Sequence, residues 1–118
     1  MYLSLLGATV YACAPDTERE RAGVQEAQSR IQNHTFKKYE PGTLHFHELD
    51  LESVESARSS AEALKKKLER LDILVANAAI VSSSDKLSPD GYDKTFAVNC
   101  LGHFVFVNSL VGMCNLTL

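Results

Sequence analysis

Two spacings of apolar residues alternate along this chain. Gly7-Ala8-Thr9-Val10-Tyr11-Ala12-Cys13-Ala14 is a short, mostly apolar run rich in strand formers, and it stops at Pro15 as a buried strand would. Asp16 or Thr17 can then cap a helix expected from Glu18 to about Gln32, where Val24, Ala27 and Ile31 give a narrow apolar stripe on an otherwise polar surface helix. Asn33-His34 and Pro41-Gly42 punctuate a loop, after which Thr43 to Leu49 alternates with period two, a second strand.

Ser53 opens the clearest helical pattern: Val54, Ala57, Ala61, Leu64, Leu68 and Leu71 recur at steps of three and four, and the helix is expected to end at Asp72. Ile73-Leu74-Val75-Ala76 reads as a third strand, buried on both faces because no position alternates to polar. Beyond a serine-rich loop, Ser88 as N-cap, Pro89 at the first helical position and Asp90 near the positive helix end predict a last helix that can run past Leu110. Strands and helices alternating in this way imply right-handed crossovers and an α/β fold, a doubly wound parallel sheet covered on both faces.

The 118 residues, 45% hydrophobic and 23% charged, are enough for one globular domain and no more. A net charge of -3 leaves nothing to neutralise phosphates, so no nucleic-acid partner is expected. Lys65, Lys66 and Lys67 stand between Glu62 and Glu69 and read as a solvated helix face. Cys13, Cys100 and Cys114 are odd in number and too far apart for a disulfide framework or paired zinc ligands, which suits a reducing compartment. The opening Met1 to Leu6 lacks a basic start, and no apolar run reads as membrane-spanning, so a soluble, cytoplasmic protein is expected, with no membrane partner. His45 and His47 share a strand face without a third ligand, and no metal is expected. His103 and the aromatic residues Phe96, Phe104 and Phe106 read as packing.

Ligands of a doubly wound sheet bind outside the carboxyl ends of its strands. Asn77-Ala78-Ala79 stands at such an end, with side chains small enough to let a ligand approach the main chain, and Asp50 stands at the end of the preceding strand. Each also has a plainer reading, Asp50 as a cap beside Ser53 and Asn77 as a turn former. Ser82-Ser83-Ser84 carries no nucleophile elbow and reads as a loop.

"GATVYACA", "HELDLESVESA", "LDILVANAAI" and "DGYDKTFAVNCLGHFVFVNSL", in this order from Gly7 to Leu110, resemble the short-chain dehydrogenase/reductase family, and "VNCLGHF" is similar to its retinol-dehydrogenase-like members. The resemblance implies a partial Rossmann-like domain over residues 1–118 and an oxidoreductase that moves hydride between NAD or NADP and a small-molecule carbonyl or alcohol. It places the side chain of Asp50 and the backbone of Leu51 at the adenine ring, Asn77 beside the cofactor ribose, and Ala78 and Ala79 in backbone contact with the cofactor. Asn99 is the catalytic candidate, a helix asparagine that helps organise water in a proton relay to a catalytic lysine. Ala79 replaces the family's usual glycine, and Ala14 stands where arginine is frequent. The choice between NAD and NADP therefore stays open, with a slight preference for NADP and with Arg19 and Arg21 as the candidates for its 2′-phosphate.

Two parts of the family pattern are not found in these residues. No closely spaced glycines form a pyrophosphate turn, Leu3 to Gly7 resembling instead the end of the first crossover helix, and none of Tyr2, Tyr11, Tyr39 or Tyr92 has a lysine four residues on. The expectation is an internal fragment, inactive alone. The alternative is a non-catalytic truncated domain that associates with a full-length relative, or with itself as a homo-oligomer, through the last helix, which in the family commonly belongs to a dimer interface.

Overall fold

The computed structural model describes residues 2–33, 40–82 and 86–113. His34, Tyr39, Ser83, Ser84 and Cys114, which figure in the sequence reading, lie outside these. The chain divides into two compact units, Met1–Leu49 and Asp50–Leu118.

The first unit begins with α1 (Tyr2–Leu5). Its end is a Schellman motif: the Ala8 N–H donates to Leu3 O and the Gly7 N–H to Ser4 O, each at 3.1 Å, and Gly7 takes φ +97°, a conformation that favours glycine. Strand β1 (Val10–Ala14) pairs in parallel with β2 (Leu44–Glu48), Val10 opposite Leu44 and Ala14 opposite Glu48. Between them runs α2 (Glu18–Asn33), capped by Thr17, whose hydroxyl accepts from Glu20 N at 3.2 Å. As the stripe predicts, α2 is a surface helix, and Ile31 is its one fully buried side chain. All five residues of β1 are only half-buried, so the expected cover on both faces is not complete. A two-stranded sheet is marginal by itself. The two histidines of β2 part company: His47 is buried, while exposed His45 bonds Thr43 Oγ1 and stacks on Tyr11 with ring centroids 5.1 Å apart.

Arg21 donates to both carboxylate oxygens of Asp16, the Nη2 to Oδ2 bond being 2.7 Å, and its guanidinium lies over the Phe46 ring. The hydrogen bond from Arg21 holds the Asp16 carboxyl below its ordinary 3.8 and raises Arg21 in turn. A lowered folded-state value means that the pair contributes above the unfolded value near 4 and is lost as pH falls through the lowered one. Both groups face solvent, so the effect on stability is small. A carboxyl NMR titration is expected to find the Asp16 midpoint below 3.8, and to find it restored in Arg21→Gln; an unshifted midpoint would dissolve the pair.

The second unit is a helix pair. Helix α3 (Val54–Lys65) starts at Ser53, whose hydroxyl accepts from Ser56 N, and buries Ala57, Ala61 and Leu64 along the predicted stripe. It ends earlier than the stripe suggests. The Lys67 N–H turns back to Leu64 O at 2.9 Å, a tightened last turn, and Lys65, Lys66 and Lys67 complement the negative end of the helix there.

The last helix runs Lys94–Met113 and packs against α3. Its cap is Asp93, accepting from Phe96 N at 2.8 Å, and not Ser88. Ser88, Pro89, Asp90 and Gly91 form a turn instead, closed by Gly91 N to Ser88 O, with Gly91 at φ +82° where a helix cannot begin. Asp90 caps the other helix: its Oδ2 accepts from Val54 N at 2.7 Å. The last helix is long and apolar enough to cross a membrane, contrary to the sequence reading, but Ala97, Val98, Gly102, Phe106 and Leu110 form a buried side within the protein.

The expected third strand is the largest difference. Ile73-Leu74-Val75-Ala76 is not part of a sheet, and Ile73 and Val75 are 65% and 71% exposed. Among the described residues no strand pairs with it.

Candidate functional site

Apart from Arg19 and Arg21, every residue singled out for cofactor contact or catalysis lies in the second unit, and the middle of the last helix touches two of the segments that carry them. The helix is not uniform. It is α-helical at Lys94–Phe96, a π-helix at Ala97–Gly102, α-helical again at His103–Leu110 and 3₁₀ at Val111–Met113. A π segment widens the turn and is frequent at functional sites.

Asp50 follows β2, and its Oδ1 accepts from Glu52 N at 2.9 Å, a local turn. The cap of α3 is Ser53, so the plainer reading of Asp50 as helix cap does not hold. Oδ2 makes no hydrogen bond among the described residues. Leu51 is buried, and its main chain lies against Gly102 so closely that a Cβ there would stand 2.3 Å from Leu51 O. Lys94 Nζ meets Glu52 Oε1 at 2.7 Å, fixing the same short segment to the start of the last helix.

Asn77, Ala78 and Ala79 are exposed and lie outside any helix or strand. Among the described residues, the Asn77 carboxamide has no hydrogen-bond partner. The Asn99 side chain is committed to Ile80: Oδ1 accepts from Ile80 N and Nδ2 donates to Ile80 O, both at 2.9 Å. One turn on, His103 Nε2 lies 2.7 Å from Ala78 O, and one turn back Thr95 Oγ1 accepts from Ser82 N at 3.3 Å.

The sequence reading missed His103 and Thr95. Polar residues at 95, 99 and 103, spaced by four in a mostly apolar helix, were the available signal. The aromatic group also divides: Phe106 is buried, but Phe96 and Phe104 face outward. Arg21, a candidate for the 2′-phosphate, is held by Asp16. Among the described residues no cluster of three His, Cys, Asp or Glu could hold a metal.

A parallel strand pair joined by a helix, followed by a long helix that braces an alanine-rich segment, is an α/β arrangement. Residues 2–114 match the family described as short chain dehydrogenase. The short-chain dehydrogenase/reductase prx1 of Penicillium rubens is 32% identical over 108 residues, 92% of this chain and 28% of that protein. Human retinol dehydrogenase 14 is 33% identical over 104 residues, 80% of this chain and 31% of that protein. Among solved structures, the RhlG/NADP active-site complex of Pseudomonas aeruginosa superimposes with a TM-score of 0.62 at 25% identity, over 87% of this chain and 37% of that one. The chain thus belongs to the short-chain dehydrogenase family, and it spans less than a third of the length of these two relatives.

Proposed function

We propose that these residues form the adenosine-binding part of an NAD(P)-dependent oxidoreductase that acts on a small carbonyl or alcohol. The observation that carries this reading is that the π segment of the last helix and its first following residue lie against both candidate binding segments, Gly102 against Leu51 and Asn99 with His103 against Ile80 and Ala78. The residues suit a dinucleotide. The open Oδ2 of Asp50 can accept from the adenine amino group, and Ala79 is exposed with a side chain no larger than a methyl. The cofactor, when bound, supplies or takes up hydride. The protein groups hold its adenosine end and keep the Ala78–Ser82 segment in one register.

The RhlG complex holds NADP, which supports NADP over NAD as the cofactor here. Titration with NADPH and with NADH, followed by amide NMR, is expected to move Asp50, Leu51 and Ala79; no change with either would refute the reading. No turnover of either cofactor is expected from the purified 118-residue chain, because none of its four tyrosines has a lysine one helical turn on to lower its pKa. Any steady oxidation of NADPH dependent on an added aldehyde or ketone would contradict that.

A second reading, association with another copy, is favoured by the outward side of the last helix. Phe96, Cys100, Phe104 and Val111 recur there at steps of four, four and seven residues, with Phe96 51% and Phe104 66% exposed. A dimer is expected in sedimentation equilibrium at tens of micromolar, weakened by Phe104→Glu. A monomer throughout the range would exclude it.

A further inference from the structure

Thr95, Asn99 and His103 are spaced by four along the last helix, and they meet Ser82, Ile80 and Ala78, spaced by two along the segment Ala78–Ser82. The contacts run antiparallel and fall on alternate residues only, as the contacts along one edge of a strand must. One helical turn further on stands Val107, which has no polar group to extend the series.

We infer that these three side chains form a ladder that replaces a neighbouring strand and sets the register of Ala78–Ser82. The even-numbered residues are bound to the helix, and the main-chain groups of Ala79 and Val81 are turned the other way. Val81 is 98% exposed, and neither Ala79 nor Val81 makes a main-chain hydrogen bond among the described residues. His103 and Thr95 are therefore positioning residues. Because the Ala78 carbonyl can only accept, His103 carries its proton on Nε2. Resting on the dinucleotide reading, the ladder also separates the two alanines of the turn: Ala78 O is taken by His103, and Ala79 presents the main chain that a cofactor can reach.

Amide hydrogen exchange on the 118-residue chain tests this without any cofactor. Ile80 and Ser82 are expected to exchange slowly and Ala79 and Val81 fast. Thr95→Val should speed exchange at Ser82 about tenfold, the scale of one ordinary hydrogen bond, while Thr95→Ser, which keeps the hydroxyl, should leave it slow. The imidazole ¹⁵N shifts of His103 should report the Nε2–H form. Uniform exchange across the four amides, indifference of Ser82 to Thr95→Val, or a proton on Nδ1 would each overturn the ladder. If NADPH is then added, Ala79 and Val81 should respond more than Ala78 and Ile80, and the reverse order would overturn the assignment of faces. Alternating exchange with no response to NADPH at any residue would keep the ladder and count against the dinucleotide reading alone.

Discussion

Gly102→Ala is expected to destabilise the second unit by about 2–3 kcal/mol, the scale of forced overpacking against atoms that cannot rotate away. The added Cβ would stand 2.3 Å from Leu51 O, 2.9 Å from its Cα and 3.0 Å from its carbonyl carbon. All three are main-chain atoms, so relief requires moving either the helix or the turn that carries Asp50. Helix propensity alone would favour alanine, and the sign of the change therefore reports the contact itself. Gly112→Ala, near the end of the same helix, meets nothing within 4 Å and serves as the control. Urea unfolding should show a lower midpoint for Gly102→Ala with an unchanged slope. A midpoint equal to or above that of the parent chain would mean that the Leu51 turn does not sit on this glycine. Where Gly102→Ala still folds, the displaced turn should weaken NADPH binding as well, since Asp50 and Leu51 move with it.

What the sequence makes legible is the part governed by local periodicity. The stripe of α3, the surface character of α2, and the two strands with their parallel relation all follow from spacing, because burial on one side of an element repeats along the chain. Capping was harder. Ser88-Pro89-Asp90 satisfies every local rule for a helix start, yet Gly91 turns left-handed and the helix waits for Asp93. Asp90 still serves a helix N-terminus, that of α3, which no local rule can connect to it across 36 residues. Ile73 to Ala76 has the composition of a buried strand but no ladder partner among the described residues, because composition alone cannot supply the pairing a strand needs. The candidate site divides along the same line. Asn99 was visible through a motif, whereas His103 and Thr95 acquire meaning only when the alternate main-chain groups of a distant segment are laid beside them.

Asn99→Leu is expected to cost about 2 kcal/mol, because one carboxamide satisfies both polar groups of Ile80 and leucine satisfies neither. Ile80 is half-buried, so water can recover part of the loss and keep the cost below that of two fully buried orphans. Asn99→Asp is the sharper companion. A carboxylate can still accept from Ile80 N, but it has no hydrogen to give Ile80 O and sets two acceptors against each other. The Ile80 amide should therefore remain slow to exchange in Asn99→Asp and become fast in Asn99→Leu, while both variants lower the unfolding midpoint. The resemblance to the family suggests another role for this residue, organising a water in a proton relay. That role would leave the stability of this chain untouched, because the tyrosine and lysine at the ends of such a relay are not among its residues. A variant series that changes stability and Ile80 exchange together assigns the carboxamide to bracing; unchanged stability in Asn99→Leu would return it to the relay.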